Sequence, residues 1–129
     1  MAWPEIFIVL VISHATGDFL LQTQWQAEHK RGGLGGDPVA RRALLSHIAT
    51  YSLAFVPALI WLADDLGAGT LGIAALIAIP HLLQDDGRLV PAYMRLIKHA
   101  QPDAHPNVAL AVDQTLHLLA LFAVALVAT

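Results

Sequence analysis

Four apolar stretches, 3–24, 44–63, 70–89 and 108–128, take up most of this 129-residue chain. Each is close to the ~20 residues that a helix needs to cross the hydrocarbon core of a bilayer. The rest of the composition agrees: 57% of the residues are hydrophobic and 13% are charged, with a mean hydropathy of +0.60, a balance unusual for a soluble domain. The expected fold is all-α: a bundle of four transmembrane helices in one integral membrane domain spanning residues 1–129. The first stretch lacks a basic leader and carries His14, Asp18 and Gln22 in its second half, so it reads as a retained helix and not a cleaved signal peptide. Cysteine is absent, which excludes disulfides, thiolate ligands and Cys nucleophiles, and the net charge of −3 gives no footprint for nucleic acid.

All seven Lys and Arg residues fall in two connections. Lys30, Arg31, Arg41 and Arg42 lie between the first and second stretches, and Arg88, Arg95 and Lys98 lie at or beyond the end of the third. The short segment from Asp64 to Gly69 carries only acids. Positive charge is retained on the cytoplasmic side, so both termini are expected outside and both long connections inside. Trp3 and Trp61 would then mark the outer interface, and Trp25 and Tyr93 the inner one. The Gly-rich run from Gly32 to Pro38 reads as flexible, and Pro91 to His99 as a short amphipathic surface helix.

Within the apolar stretches sit His14 and Asp18, His47 and Tyr51, His81 and Asp85, and Asp113 and His117. An ionisable side chain in hydrocarbon costs at least a few kcal/mol unless it faces the bundle interior with a partner, so such residues are functional candidates. Residues i and i+4 share a helix face and stand about 6 Å apart along the axis. Helices one and three run inward as His-x3-Asp, while helix four runs outward as Asp-x3-His. Reversing both order and direction leaves the layers matched. Asp18, Asp85 and Asp113 form one layer with His47 alongside, and His14, His81 and His117 form another nearer the membrane centre. The chain also reads as two helical hairpins in a parallel pseudo-repeat, an arrangement that places sites between the halves.

Imidazole and carboxylate together are ligands for divalent transition metals. His14, Asp18, His81, Asp85, Asp113 and His117 are the expected metal ligands, with Zn²⁺ the first choice, Mn²⁺ or Fe²⁺ behind it, and one or two ions bound. His47 and Tyr51 are the candidate catalytic pair, His47 serving as ligand or general base. The competing reading is a network of His–Asp hydrogen bonds that holds the helices together. Gln22 and Gln114 are candidates for supporting hydrogen bonds, Gly17 for close helix packing, and Pro57 and Pro80 for kinks. Asp86 is rotated off the His81 face and should meet Arg88 or water, and His29, His99 and His105 lie in the connections.

The run His14-Ala-Thr-Gly-Asp18-Phe-Leu-Leu-Gln22-Thr23, then His47-x3-Tyr51, His81-x3-Asp85 and Asp113-Gln114-x2-His117, resembles domain of unknown function 3307, a family of small bacterial membrane proteins. More distantly, the pattern is similar to inner-membrane proteins assigned as metal-dependent hydrolases. The resemblance implies a multi-pass protein of the bacterial cytoplasmic membrane and strengthens the expectation of a metal, without supplying catalytic residues.

The function expected on these grounds is metal-dependent hydrolysis of a lipid-linked or phosphate-containing substrate reached from the cytoplasmic side. Alternatives are a metal-ion or proton transporter, disfavoured by the apolar outer halves of the helices, and a haem protein, disfavoured by carboxylates among the ligands. A non-catalytic membrane subunit with a structural His/Asp centre is a further alternative. Expected partners are membrane lipid and either further copies of the chain or a larger membrane complex, because four short helices bury little interior.

Overall fold

The computed structural model describes residues 1–129, and every regular element in it is helical. Helix α1 (Trp3–Ala15) begins with Pro4 in its first turn, where the missing N–H has no helical acceptor to lose. It continues as a π-helical turn over Thr16–Leu21 and ends where Gln22 becomes extended. Thr23 opens α2 (Gln24–His29) with a capping box: its hydroxyl accepts from the Gln26 N–H, and the Gln26 side chain accepts from the Thr23 N–H. Helix α3 (Pro38–Ala54) is capped by Asp37. It breaks at Phe55, and α4 (Val56–Leu66) leaves at 56° to it. Pro57 explains the break: in a continuous helix its ring would strike the Leu53 carbonyl, whereas in the first turn of a new helix it is harmless. Pro80, by contrast, sits inside an unbroken α5 (Gly69–Asp85). Then follow the short α6 (Leu89–Leu96) and the long α7 (Pro106–Val127).

By length and composition, fewer than the expected four spans stand clear. Two segments are long and apolar enough to cross a membrane, Trp3–Leu21 with 19 residues and Pro106–Val127 with 22, and the bent pair α3 and α4 is a third if it counts as one span. Helix α5 is apolar but has 17 residues. It stops four residues before the expected end because Gly87, at φ +85°, turns the chain away.

The main helices form a ring, with α1 against α7, α7 against α5, α5 against α3 and α4, and α3 back against the π-helical turn of the first helix. The N-terminal amine lies 3.5 Å from Asp65, which puts the start of α1 beside the α4–α5 turn. At the other end, Lys30 reaches Asp85, and the Gly-rich connection is tied down rather than loose: the Gly32 N–H donates to the Asp86 carbonyl and the Leu34 N–H to its carboxylate.

The interior has two characters. Near the N-terminal end it is an apolar cluster that includes Ile6, Leu10, Phe55, Leu62, Ile77 and Leu121. One or two turns further along the same helices it is polar: Ser13, His14, Asp18, His47, His81, Asp85 and His117 are all buried. Outward-facing positions are apolar, with Leu20 78% and Leu71 77% exposed. A polar interior beneath an apolar exterior is the arrangement suited to a lipid surround.

Candidate metal centre

Helix α5 delivers two groups to one face, since in a regular helix His81 and Asp85 stack one turn apart, with Nε2 and Oδ2 3.1 Å from each other. From α3, the His47 Nε2 comes to 2.8 Å from the same Asp85 oxygen and 3.0 Å from His81 Nε2. Asp18, on the π-helical turn, places Oδ1 3.2 Å from His47 Nε2 and 3.3 Å from His81 Nε2. Two imidazole nitrogens and two carboxylate oxygens, all from buried residues, thus converge from three segments.

Protons alone do not satisfy this arrangement. With both carboxylates ionised, only the two Nε2 atoms can carry hydrogen here, at most two for five contacts, and two protonated nitrogens could not face each other at 3.0 Å. Asp18 Oδ1, though enclosed, makes no geometrically sound hydrogen bond within the protein. A tetrahedral ion with bonds of about 2.0–2.1 Å has ligand–ligand edges of about 3.3–3.4 Å, only slightly longer than the contacts here. The buried His and Asp groups therefore form a set able to hold a metal ion.

Beside this set lies a second one, Asp85, Asp113 and His117. His117 Nδ1–H donates to the Asp113 carbonyl at 2.7 Å, and Nε2, on the other side of the ring, faces Asp85 Oδ1 at 3.2 Å. Asp85 accordingly turns one oxygen to each set.

His14, expected among the ligands, lies outside both groups. Its Nε2–H donates to Gln114 Oε1 at 2.9 Å, and its Nδ1 accepts from the Tyr51 hydroxyl at 2.9 Å, so both ring nitrogens are engaged. The amide orientation of Gln114 is set by its own donation to Asp113 at 3.2 Å. The π-helical turn that starts at Thr16 carries Asp18 toward His47 and His81, while His14, still on α1, is engaged by Tyr51 and Gln114. His14 and Asp18 are left 3.7 Å apart and serve different partners. His47, expected as ligand or base, stands among the four converging groups. Tyr51 touches no carboxylate; its ring stacks on His81 at 3.5 Å between centroids and 5° between planes. Gly17 is what lets Tyr51 approach, since a Cβ there would fall 2.6 Å from the Tyr51 ring.

Lys30 is the residue that sequence reasoning missed. Its ammonium donates to Asp85 Oδ2 at 2.7 Å and to Gln22 Oε1 at 2.6 Å. No local pattern marks it, because as one of a run of basic loop residues it is fully explained by topology. Asp86 sits off the site, paired with Arg88 at 2.8 Å, and His29, His99 and His105 are exposed away from it. A cavity of about 420 Å³ opens beside the centre at this end, lined by Lys30, Arg31, Gln84, Asp85, Asp103 and Asp113 among others.

Neither a curated protein nor a solved structure matches the chain. A family model does: the one described as "Protein of unknown function (DUF3307)" covers residues 6–129, and it brings no activity with it. With nearly its whole length inside that match, His/Asp centre included, the chain belongs to the DUF3307 family.

Proposed function

We propose that this protein is a multi-pass component of the bacterial cytoplasmic membrane that binds a divalent transition metal, Zn²⁺ first, and hydrolyses a phosphate-containing or lipid-linked substrate arriving from the cytoplasmic side. In this reading α1, the bent pair α3 and α4, α5 and α7 all cross the bilayer with both termini outside. At 1.5 Å per residue α5 is about 25 Å long, short of a 30 Å core by an amount that local thinning or its polar end can absorb.

The observation that carries the reading is the convergence of His47, His81, Asp18 and Asp85 at contacts of 2.8 to 3.3 Å. Burying Asp18 and Asp85, with the partly buried Asp113 beside them, against a single ammonium is costly, and a divalent cation removes most of that cost. When bound, such an ion polarises a phosphoryl oxygen and lowers the pKa of a coordinated water. The chain's own residues do the rest: Tyr51 holds the His81 ring by stacking, Lys30 holds Asp85, and Lys30 and Arg31 draw an anionic group into the cavity. A transporter would need a polar route through the other half of the bundle, where Ile6, Leu10, Phe55, Leu62, Ile77 and Leu121 belong to one buried apolar cluster.

The test is elemental analysis of detergent-purified protein, wild type against His81→Ala after identical washing. A near-stoichiometric transition metal that the variant loses is the expected result. A metal-free pair that folds equally well would overturn the proposal in favour of a structural His/Asp network in a non-catalytic subunit.

A further inference from the structure

We infer that the bundle holds a second divalent cation beside the first, on Asp113, His117 and the outer oxygen of Asp85, and that this second position is the one open to substrate. The inference rests on the metal-binding reading above and extends it to a two-ion centre bridged by Asp85.

Asp85 has the geometry of a bridge. Its Oδ2 faces His47 at 2.8 Å and His81 at 3.1 Å, while its Oδ1 faces His117 Nε2 at 3.2 Å. Paired metal ions in hydrolytic sites stand about 3.5–4 Å apart, a separation that a carboxylate spans. The His117 ring is oriented for ligation, since Nδ1 is held by the Asp113 carbonyl at 2.7 Å and Nε2 is turned to the Asp85 Oδ1 at 3.2 Å. Two acceptors at that distance require a cation or a proton between them.

The two positions differ in what they leave free. Four protein donors leave the first position room for a water only by expansion to five-coordination, whereas three donors at the second leave places for water and substrate outright. The free side of the second position is also the wet side: the Asp113 side chain is 29% exposed and lines the 420 Å³ cavity together with Asp85. Lys30 and Arg31 stand at the same cavity. Gly87 admits Arg31 to this position, for a Cβ on Gly87 would lie 2.6 Å from Arg31 Cγ.

Charge indicates the ligand class. Asp18, Asp85 and Asp113 with Lys30 leave a formal charge of about minus two, so one divalent ion only neutralises the centre, and a second makes it a receptor for a doubly charged anion. A phosphate monoester or free phosphate suits both that charge and the basic residues at the mouth.

The experiment is a Mn²⁺ titration of the full chain in detergent after chelator treatment, read by metal content and by electron paramagnetic resonance, with inorganic phosphate as the probe anion. Wild type is expected to take up two equivalents, with an exchange-coupled spectrum that phosphate alters. Asp113→Asn should hold one equivalent with an uncoupled spectrum that phosphate leaves unchanged, and His117→Gln, read in the same way, stands in if the first variant misfolds. A wild type that holds one ion, lost in His81→Ala but kept in Asp113→Asn, would overturn the second position and leave the first reading standing. A wild type that binds none would overturn both. Two coupled ions that ignore phosphate would overturn the assignment of ligand class alone.

Discussion

At the end of the bundle near the N-terminus, Ile6 and Leu10 of α1 pack with Phe55, Leu62, Ile77 and Leu121. One or two turns along, the same helices bring together Asp18, His47, His81, Asp85 and His117. In the membrane setting proposed above, lipid is as apolar as leucine, so burying the first group would yield little hydrophobic gain, and shape complementarity would have to supply its stability. The second group has no such latitude. Its members are expelled from lipid wherever they sit, and once inside they must find partners or cations. One half is therefore tolerant in chemistry and demanding in volume, while the other is the reverse.

Truncating the apolar half should have the largest effect on folding and the smallest on the site. Phe55→Ala, at a position 1% exposed, is expected to cost about 2–4 kcal/mol in a detergent unfolding titration, mostly through the cavity it leaves. Metal content per folded chain should not change; if it falls, the halves are coupled and the contrast fails.

A change in the polar half should instead depend on metal. Lys30→Met removes the cation beside the Asp85 carboxylate, which is 3% exposed, and leaves a buried charge. The expected loss is about 2–3 kcal/mol in chelator-treated protein, discounted because Lys30 is itself partly exposed. Saturating Zn²⁺ should shrink that loss, since a divalent ion takes over the neutralising role. Equal losses with and without Zn²⁺ would mark the ion pair as a tie independent of any metal.

The smallest effect on stability belongs to the seam between the halves. Gly17→Ala pushes a Cβ to 2.6 Å from the Tyr51 ring and 3.2 Å from its Cα, so the ring stacked on His81 must shift. About 1–2 kcal/mol of stability should be lost to overpacking. Metal affinity, measured by chelator competition, should drop about tenfold through the displaced His81. Unchanged affinity would show that the stacking does not position that ring.

How much was legible depended on how regular the local helix is. The i, i+4 argument described α5 well, where His81 and Asp85 do share a face. On the first helix His14 and Asp18 also come within 3.7 Å of each other, but the π-helical turn brings Asp18 nearer to His47 and His81 while His14 is engaged by Tyr51 and Gln114. A π-helical turn has no plain signature in composition, and the Thr-Gly-Asp run reads equally well as α-helix. Hydropathy located the apolar stretches but not their ends, which were set by Gln22, by Phe55 ahead of Pro57 and by Gly87. Lys30 was hidden for a different reason: its 55-residue separation from Asp85 is a matter of tertiary folding alone.

An apolar, all-helical chain with His and Asp turned inward was already implied by the amino-acid order, because both properties follow from local periodicity and from the cost of placing charge in lipid. Which nitrogen meets which oxygen was not. That His47 joins the centre, that His14 leaves it, that Asp85 faces two ways and that Lys30 arrives from a distant connection were all decided by how the helices pack. Side-chain partners a few ångströms apart depend on the rotation and bending of whole helices, and those emerge only when every helix has settled against its neighbours.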